Sequence, residues 1–210
     1  MGFSYIQVRE TSLIYKGKIY EYMDFFKNIK IARKRIIVIL DENLYINMVD
    51  IRNDRETNEK RVSKVIKESF GNSDDFLFNY EVAKDKQTLY IYGVKGGIKV
   101  AKLCKGGRNI KVFPMQIWVV NKLKDRIKEK SWQCIFKYMK VYYYCSIIEG
   151  LVEFTFAQEN INLFNNKVQE VLNEESLYLD NTINGLDIKG MENFKYIELG
   201  AILNEKRFSK

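Results

Sequence analysis

The chain has 210 residues, 46% hydrophobic and 30% charged, and 35 Lys and Arg against 27 Asp and Glu give it a net charge of +8. That length and usage suit one large or two small globular domains and exclude a disordered chain. No run approaches the roughly 20 apolar residues of a membrane span. The absence of histidine excludes imidazole acid–base catalysis, a Ser-His triad and His-ligated metal.

In chain order, residues 3–9, 12–15 and 18–20 read as three short strands, with Lys16-Gly17 a tight turn between the last two. A helix over 22–31 follows from Met23, Phe26, Ile29 and Lys30 at helical spacing. Residues 36–40 are five consecutive aliphatics, four of them β-branched, the pattern of a strand buried on both faces. Strand 43–51 leads to a helix over 57–70, with Val62, Val65, Ile66 and Phe70 on one face and Gly71 as its stop. Strands 75–82 and 87–94, a short helix 97–105 and a strand 109–113 come next. Pro114 suits the first turn of a helix running to about Lys130, with Ile117, Val120, Leu123 and Ile127 facing inward.

The second half opens with a meander over 133–138, 141–148 and 151–157, turning at Glu149-Gly150. A helix 159–174, a strand 177–181 and a closing helix 193–204 complete the predicted elements. Three strands, helix, strand, helix is thus the order of the second half. The first half opens on the same order and carries an excursion over about residues 43–86.

Candidate chemistry is sparse. Cys104, Cys134 and Cys145 are odd in number and widely spaced among apolar residues, which reads as small core residues in a reducing compartment. No Cys-x-x-Cys, Walker or dinucleotide glycine pattern occurs, and the doublets Gly96-Gly97 and Gly106-Gly107 read as element ends. Asp41-Glu42 and Asp74-Asp75 are paired carboxylates of the kind that bind Mg²⁺, although strand ends also collect solvated acids. Asp50, Asp54 and Glu56 are weaker candidates still. Fourteen tyrosines invite a base-stacking reading, but Tyr142-Tyr143-Tyr144 alternate faces in a strand and read better as sheet residues.

Charge is uneven. Residues 1–140 hold 29 Lys and Arg against 16 acids, whereas 141–210 hold 6 against 11. One basic run is Lys27, Lys30, Arg33, Lys34 and Arg35. The other, Lys95, Lys99, Lys102, Lys105, Arg108 and Lys111, has no acid within it and is the candidate contact patch for phosphates or an acidic surface. A solvated helix face is the plainer reading of the same lysines.

Four stretches resemble the PilM family of type IV pilus assembly and the cytoplasmic domain of its type II secretion relative, GspL. They are Arg35–Asn43; the succession Leu89–Val94, Lys99–Leu103, Lys111–Pro114 and the helix after it; Ile135–Phe156; and Phe194–Leu203. The likeness rests on order and pattern, and it implies an α/β, actin-like fold, a duplicated ribonuclease-H-like architecture. On that basis residues 1–131 are a first lobe with an inserted subdomain at about 43–86, and 132–210 a second, shortened lobe.

Nucleotide-binding members of that superfamily place an Asp-x-Gly loop between the first two strands of each half. Here the matching turns are Arg9-Glu10-Thr11-Ser12 and Lys137-Tyr138-Met139-Lys140, and only Asn184-Gly185 stands where an adenosine loop belongs. The resemblance therefore implies a non-catalytic scaffold with no cofactor and no catalytic or metal-ligating residues. Its implied partners are the cytoplasmic tail of a PilN-like bitopic inner-membrane protein and the assembly ATPase, with an anionic membrane surface and self-association as further expectations. It would lie in the cytoplasm against the inner face of the cell membrane. Two other classes stay open: a basic nucleic-acid binder and a degenerate actin-like ATPase.

Overall fold

The computed structural model describes residues 3–52, 57–71, 74–188 and 194–199. In chain order these form β1 (Ser4–Val8), β2 (Ser12–Tyr15), β3 (Lys18–Glu21), α1 (Tyr22–Asn28) and β4 (Lys34–Ile39). Then come β5 (Tyr45–Asp50), α2 (Asn58–Phe70), β6 (Phe76–Val82), β7 (Thr88–Lys95) and α3 (Gly97–Cys104). The chain continues with β8 (Asn109–Pro114), α4 (Met115–Leu123), β9 (Ser131–Tyr138), β10 (Val141–Ile148) and β11 (Leu151–Gln158). It closes with α5 (Ile161–Val171), β12 (Leu177–Asp180) and β13 (Phe194–Ile197).

Two compact units result, Met1–Glu42 with Gly106–Lys210, and Asn43–Lys105. The first unit contains two five-stranded sheets in the orders β3-β2-β1-β4-β8 and β11-β10-β9-β12-β13. In each, three strands run antiparallel and two more add parallel to the first. The same path is thus traced twice.

Local chemistry explains the elements. β4 is central and parallel to both neighbours, and Ile36, Ile37, Val38, Ile39 and Leu40 are all buried, as their unbroken aliphatic run predicts. In the first hairpin Lys16 and Gly17 both have positive φ, as do Glu149 and Gly150 in the equivalent one. Two left-handed central residues make the turn whose twist matches paired strands. α5 starts at Asn160, whose side chain accepts from the amides of Asn162 and Leu163. Phe25 of α1 and Phe164 of α5 are each fully buried, the first against Tyr15 and Tyr20, the second against Tyr142 and Phe156.

The second unit is a three-stranded antiparallel sheet, β5-β7-β6, with α2 across it. Val62 of α2 packs with Leu89 and Ile91 of β7, joined by Val65, Ile66 and Tyr80. β7, read from sequence as the return to the first sheet, pairs instead with β5 and with its hairpin partner β6, in continuous register with each.

Two expectations are corrected. α4 ends at Leu123 and not near Lys130, since the amides of Arg126 and Ile127 both turn back to the Leu123 carbonyl. The closing helix predicted over 193–204 is a strand at 194–197, added parallel to β12. Paired along the edge of β12, Phe194 and Tyr196 take one face while Lys195 turns to the other, where it meets Glu129. Residues 193 and 200–204 of that predicted helix lie outside the described residues.

Candidate functional site

The site to consider lies where the two sheets of the first unit meet, at the C-terminal ends of β1 and β4. The Arg9 side chain, in the turn after β1, donates to the Asp41 carboxylate at 2.5 Å. Asp41 itself sits just beyond β4 with φ +60, and its amide donates to the hydroxyl of Tyr143 on β10 at 3.2 Å. Tyr143 is wholly buried, stacked on Phe136, and burial holds its hydroxyl well above the usual phenol range. A second bridge runs from the Gln7 amide on β1 to the Tyr138 hydroxyl at 2.6 Å. On α4, Gln116 donates to the Glu42 carbonyl at 3.0 Å. The amide oxygens of Gln7 and Gln116 are buried without a hydrogen-bond partner among the described residues.

An Mg-nucleotide makes specific demands: free backbone amides, small residues beside the phosphates and a carboxylate able to face the metal. The residues present do not fit these. In the β1–β2 turn the Arg9 amide is spent on the Ser12 carbonyl at 2.9 Å. The β9–β10 turn holds Met139 at φ +55, a conformation that favours glycine, and Tyr138 beside it fills space with a ring. The Asp41 carboxylate, at the end of β4, already faces the Arg9 guanidinium. This part of the molecule ties two sheets together with its own side chains.

Other sequence candidates resolve by placement. The Gly96 and Gly97 amides donate to the Asp75 carbonyl at 2.9 and 2.8 Å, and the Ile98 amide to its carboxylate at 3.0 Å. Asp75 therefore caps α3, and the glycine doublet is a helix start. Asp50 is held by Arg52, which draws its carboxyl down to about 2. Asp54 and Glu56 lie outside the described residues, and Asp74 is exposed. Cys134 and Cys145 are buried, paired across β9 and β10 as free thiols, and burial raises the Cys134 thiol; Cys104 is half-buried. Tyr142, Tyr143 and Tyr144 are all core.

The candidate basic patch divides. Lys95, Lys99, Lys102 and Lys105 belong to the second unit, at the end of β7 and along α3, with Lys99 half-buried and the other three exposed. Arg108 and Lys111 belong to the first unit, where the Arg108 amide bonds the Arg33 carbonyl at 2.9 Å. That contact brings Arg108 beside the earlier run at Arg33 and Lys34. Sequence reasoning missed the Arg9–Asp41 and Gln7–Tyr138 bridges. Their only signal was an arginine and a tyrosine standing in turns where glycine belongs.

A path traced twice, with turns of both halves facing each other, defines the actin-like fold, and solved structures share it. A Bacteroides thetaiotaomicron protein with an actin-like ATPase fold and unknown function matches with a TM-score of 0.58 and 9% identity, over 97% of this chain and 93% of its own. The cytoplasmic domain of EpsL, an inner-membrane component of the Vibrio cholerae type II secretion system, matches at 0.58 and 12% over 99% and 95%. A chain of the PilM–PilN type IV pilus biogenesis complex matches at 0.50 and 9%, over 81% of this chain and 65% of that one. No family model matches the chain, and no curated protein matches it in sequence. No helix among the described residues is long and apolar enough to cross a membrane.

Proposed function

We propose that this chain is a non-catalytic scaffold in an assembly platform of the type IV pilus or type II secretion class. It would hold the cytoplasmic tail of a bitopic membrane component beside the assembly ATPase. Two solved structures with this fold come from such systems. The observation that carries the non-catalytic part is the Arg9–Asp41–Tyr143 bridge, which spends on holding two sheets together the groups a nucleotide would need. Titration with a fluorescent ATP analogue and Mg²⁺ should give no saturable signal; a micromolar complex would make the degenerate ATPase the better reading. Capture from the native cell should recover an envelope component and its motor. Recovery of neither, in cells that express both, would defeat the platform reading.

A further inference from the structure

Charge in the first sheet is sorted along the strand direction. β1, β4 and β8 run parallel, so Ser4, Lys34 and Asn109 stand together at their N-terminal ends, and Arg33 bonds Arg108 just before them. β2 runs back along β1, so the turn at Lys16 projects at this same end, where the Tyr15 and Ser4 hydroxyls are 3.5 Å apart. β3 leads away and α1 returns, bringing Lys27 of its last turn, and then Lys30, toward the start of β4. Six exposed cations, Lys16, Lys27, Lys30, Arg33, Lys34 and Arg108, thus share one end of the sheet. None forms an ion pair with an acid among the described residues.

The acids of the same elements lie at the other end: Glu10 in the β1–β2 turn, Glu21 and Asp24 where β3 gives way to α1, and Asp41 and Glu42 after β4. Asp125 and Glu129, in the segment after α4, are the remaining acids of this half, and Glu129 is engaged by Lys195. On α1, Phe26 is 38% exposed and stands next to Lys27 in the last turn.

We propose that this end of the first sheet docks on an anionic lipid bilayer. Strand ends and a hairpin tip present cations outward, and an extended anionic plane meets all six at once. An exposed aromatic side chain beside a lysine suits the headgroup boundary, which accepts both. The choice of a bilayer over another polyanion rests on the platform reading above.

The test is co-sedimentation of the full chain with vesicles of phosphatidylcholine alone and of phosphatidylcholine mixed with phosphatidylglycerol. Binding is expected only to the mixed vesicles, weakening with salt. At about fivefold per cation, the variant K30Q/R33Q/K34Q/R108Q should bind on the order of several hundredfold more weakly. A variant with equal charge removed elsewhere, K60Q/K64Q/K67Q/K84Q, should bind within a few fold of the parent, and F26S should lose the part of binding that survives salt. Coincident thermal melts establish that each variant is folded. Equal loss in both quadruple variants would reduce the effect to net charge and overturn the proposal. So would tighter binding to duplex DNA with the same dependence on Arg33 and Arg108, in favour of a nucleic-acid surface. Absence of vesicle binding while capture of the envelope partner persists would sink this surface and leave the platform reading standing.

Discussion

The two halves of the first unit follow one path with different materials. In the first, the face under α1 is aliphatic beyond its few rings: Ile6, Val8, Leu13, Ile37 and Ile39. In the second, the face under α5 is aromatic, with Tyr142, Tyr144 and Phe156 among Ile135, Leu177 and Leu179. Buried polar groups differ as well. Gln133 is satisfied on every side, by Tyr144 at 2.6 Å, by Asn173 and by the Glu175 carbonyl, whereas Gln7 keeps an unmatched oxygen at the junction. Topology is therefore carried by the placement of apolar positions and turns and tolerates a wholesale change of side chains. The halves differ in charge too, with the basic excess in residues 1–140 and the acidic excess in 141–210.

The sharpest way to break this equivalence is at the helix anchors. Phe25→Ala and Phe164→Ala each empty a fully buried site and should each cost about 3–5 kcal/mol by urea denaturation. A loss confined to one of them would show that the repeated path does not mean repeated energetics. Next comes the inserted unit, which has no counterpart in the second half. A Cβ on Gly97 would stand 3.0 Å from the Phe76 carbonyl oxygen, a backbone atom that cannot swing aside. Gly97→Ala should cost about 1–3 kcal/mol and speed proteolysis within 43–105 before it affects the two larger sheets.

A smaller effect is expected at the junction. Arg9→Ala removes a charge-assisted hydrogen bond from a partly exposed pair and should cost about 1 kcal/mol, less at high salt. Nucleotide binding should remain absent in this variant, because Met139 and Tyr138 still occupy their turn. The smallest effect is a pH dependence at β13. Lys195 and then Tyr178 hold the Glu129 carboxyl at about 2, below its ordinary value near 4.5. A depressed acid stabilises the fold above its unfolded value, and that contribution is lost as pH falls through the interval toward 2. The melting difference between the parent and Glu129→Gln should therefore be present at neutral pH and fade under acid. A difference independent of pH would remove Glu129 as its source.

Much of this architecture was legible in sequence because periodicity reports burial. The aliphatic run at 36–40, the hairpins at Lys16-Gly17 and Glu149-Gly150 and the amphipathic face of α2 all stand where pattern placed them. The misses share a cause. Phe-Lys-Tyr-Ile at 194–197 obeys both periods over so short a span, and only the open edge of β12 makes it a strand. α4 kept its inward faces, including buried Ile127, although the helix itself stops at Leu123. β7 carries a strand pattern that any sheet could use, and sequence does not name its partner. The junction was legible only in the negative, as turns lacking glycine. Contacts between residues more than a hundred positions apart, such as Gln7 with Tyr138, leave no local trace.

The parallel pairing of β4 with β8 has a practical corollary for dissection. A chain leaving the far end of one strand must travel the whole sheet before entering its parallel neighbour, roughly 20 Å for six residues. Here unit 43–105 makes that journey, while between β12 and β13 the stretch 181–193 suffices. Excising unit 43–105 with a two-residue splice would leave strands that cannot be joined. Grafting a bridge as long as 181–193 in its place would yield a minimal twofold core.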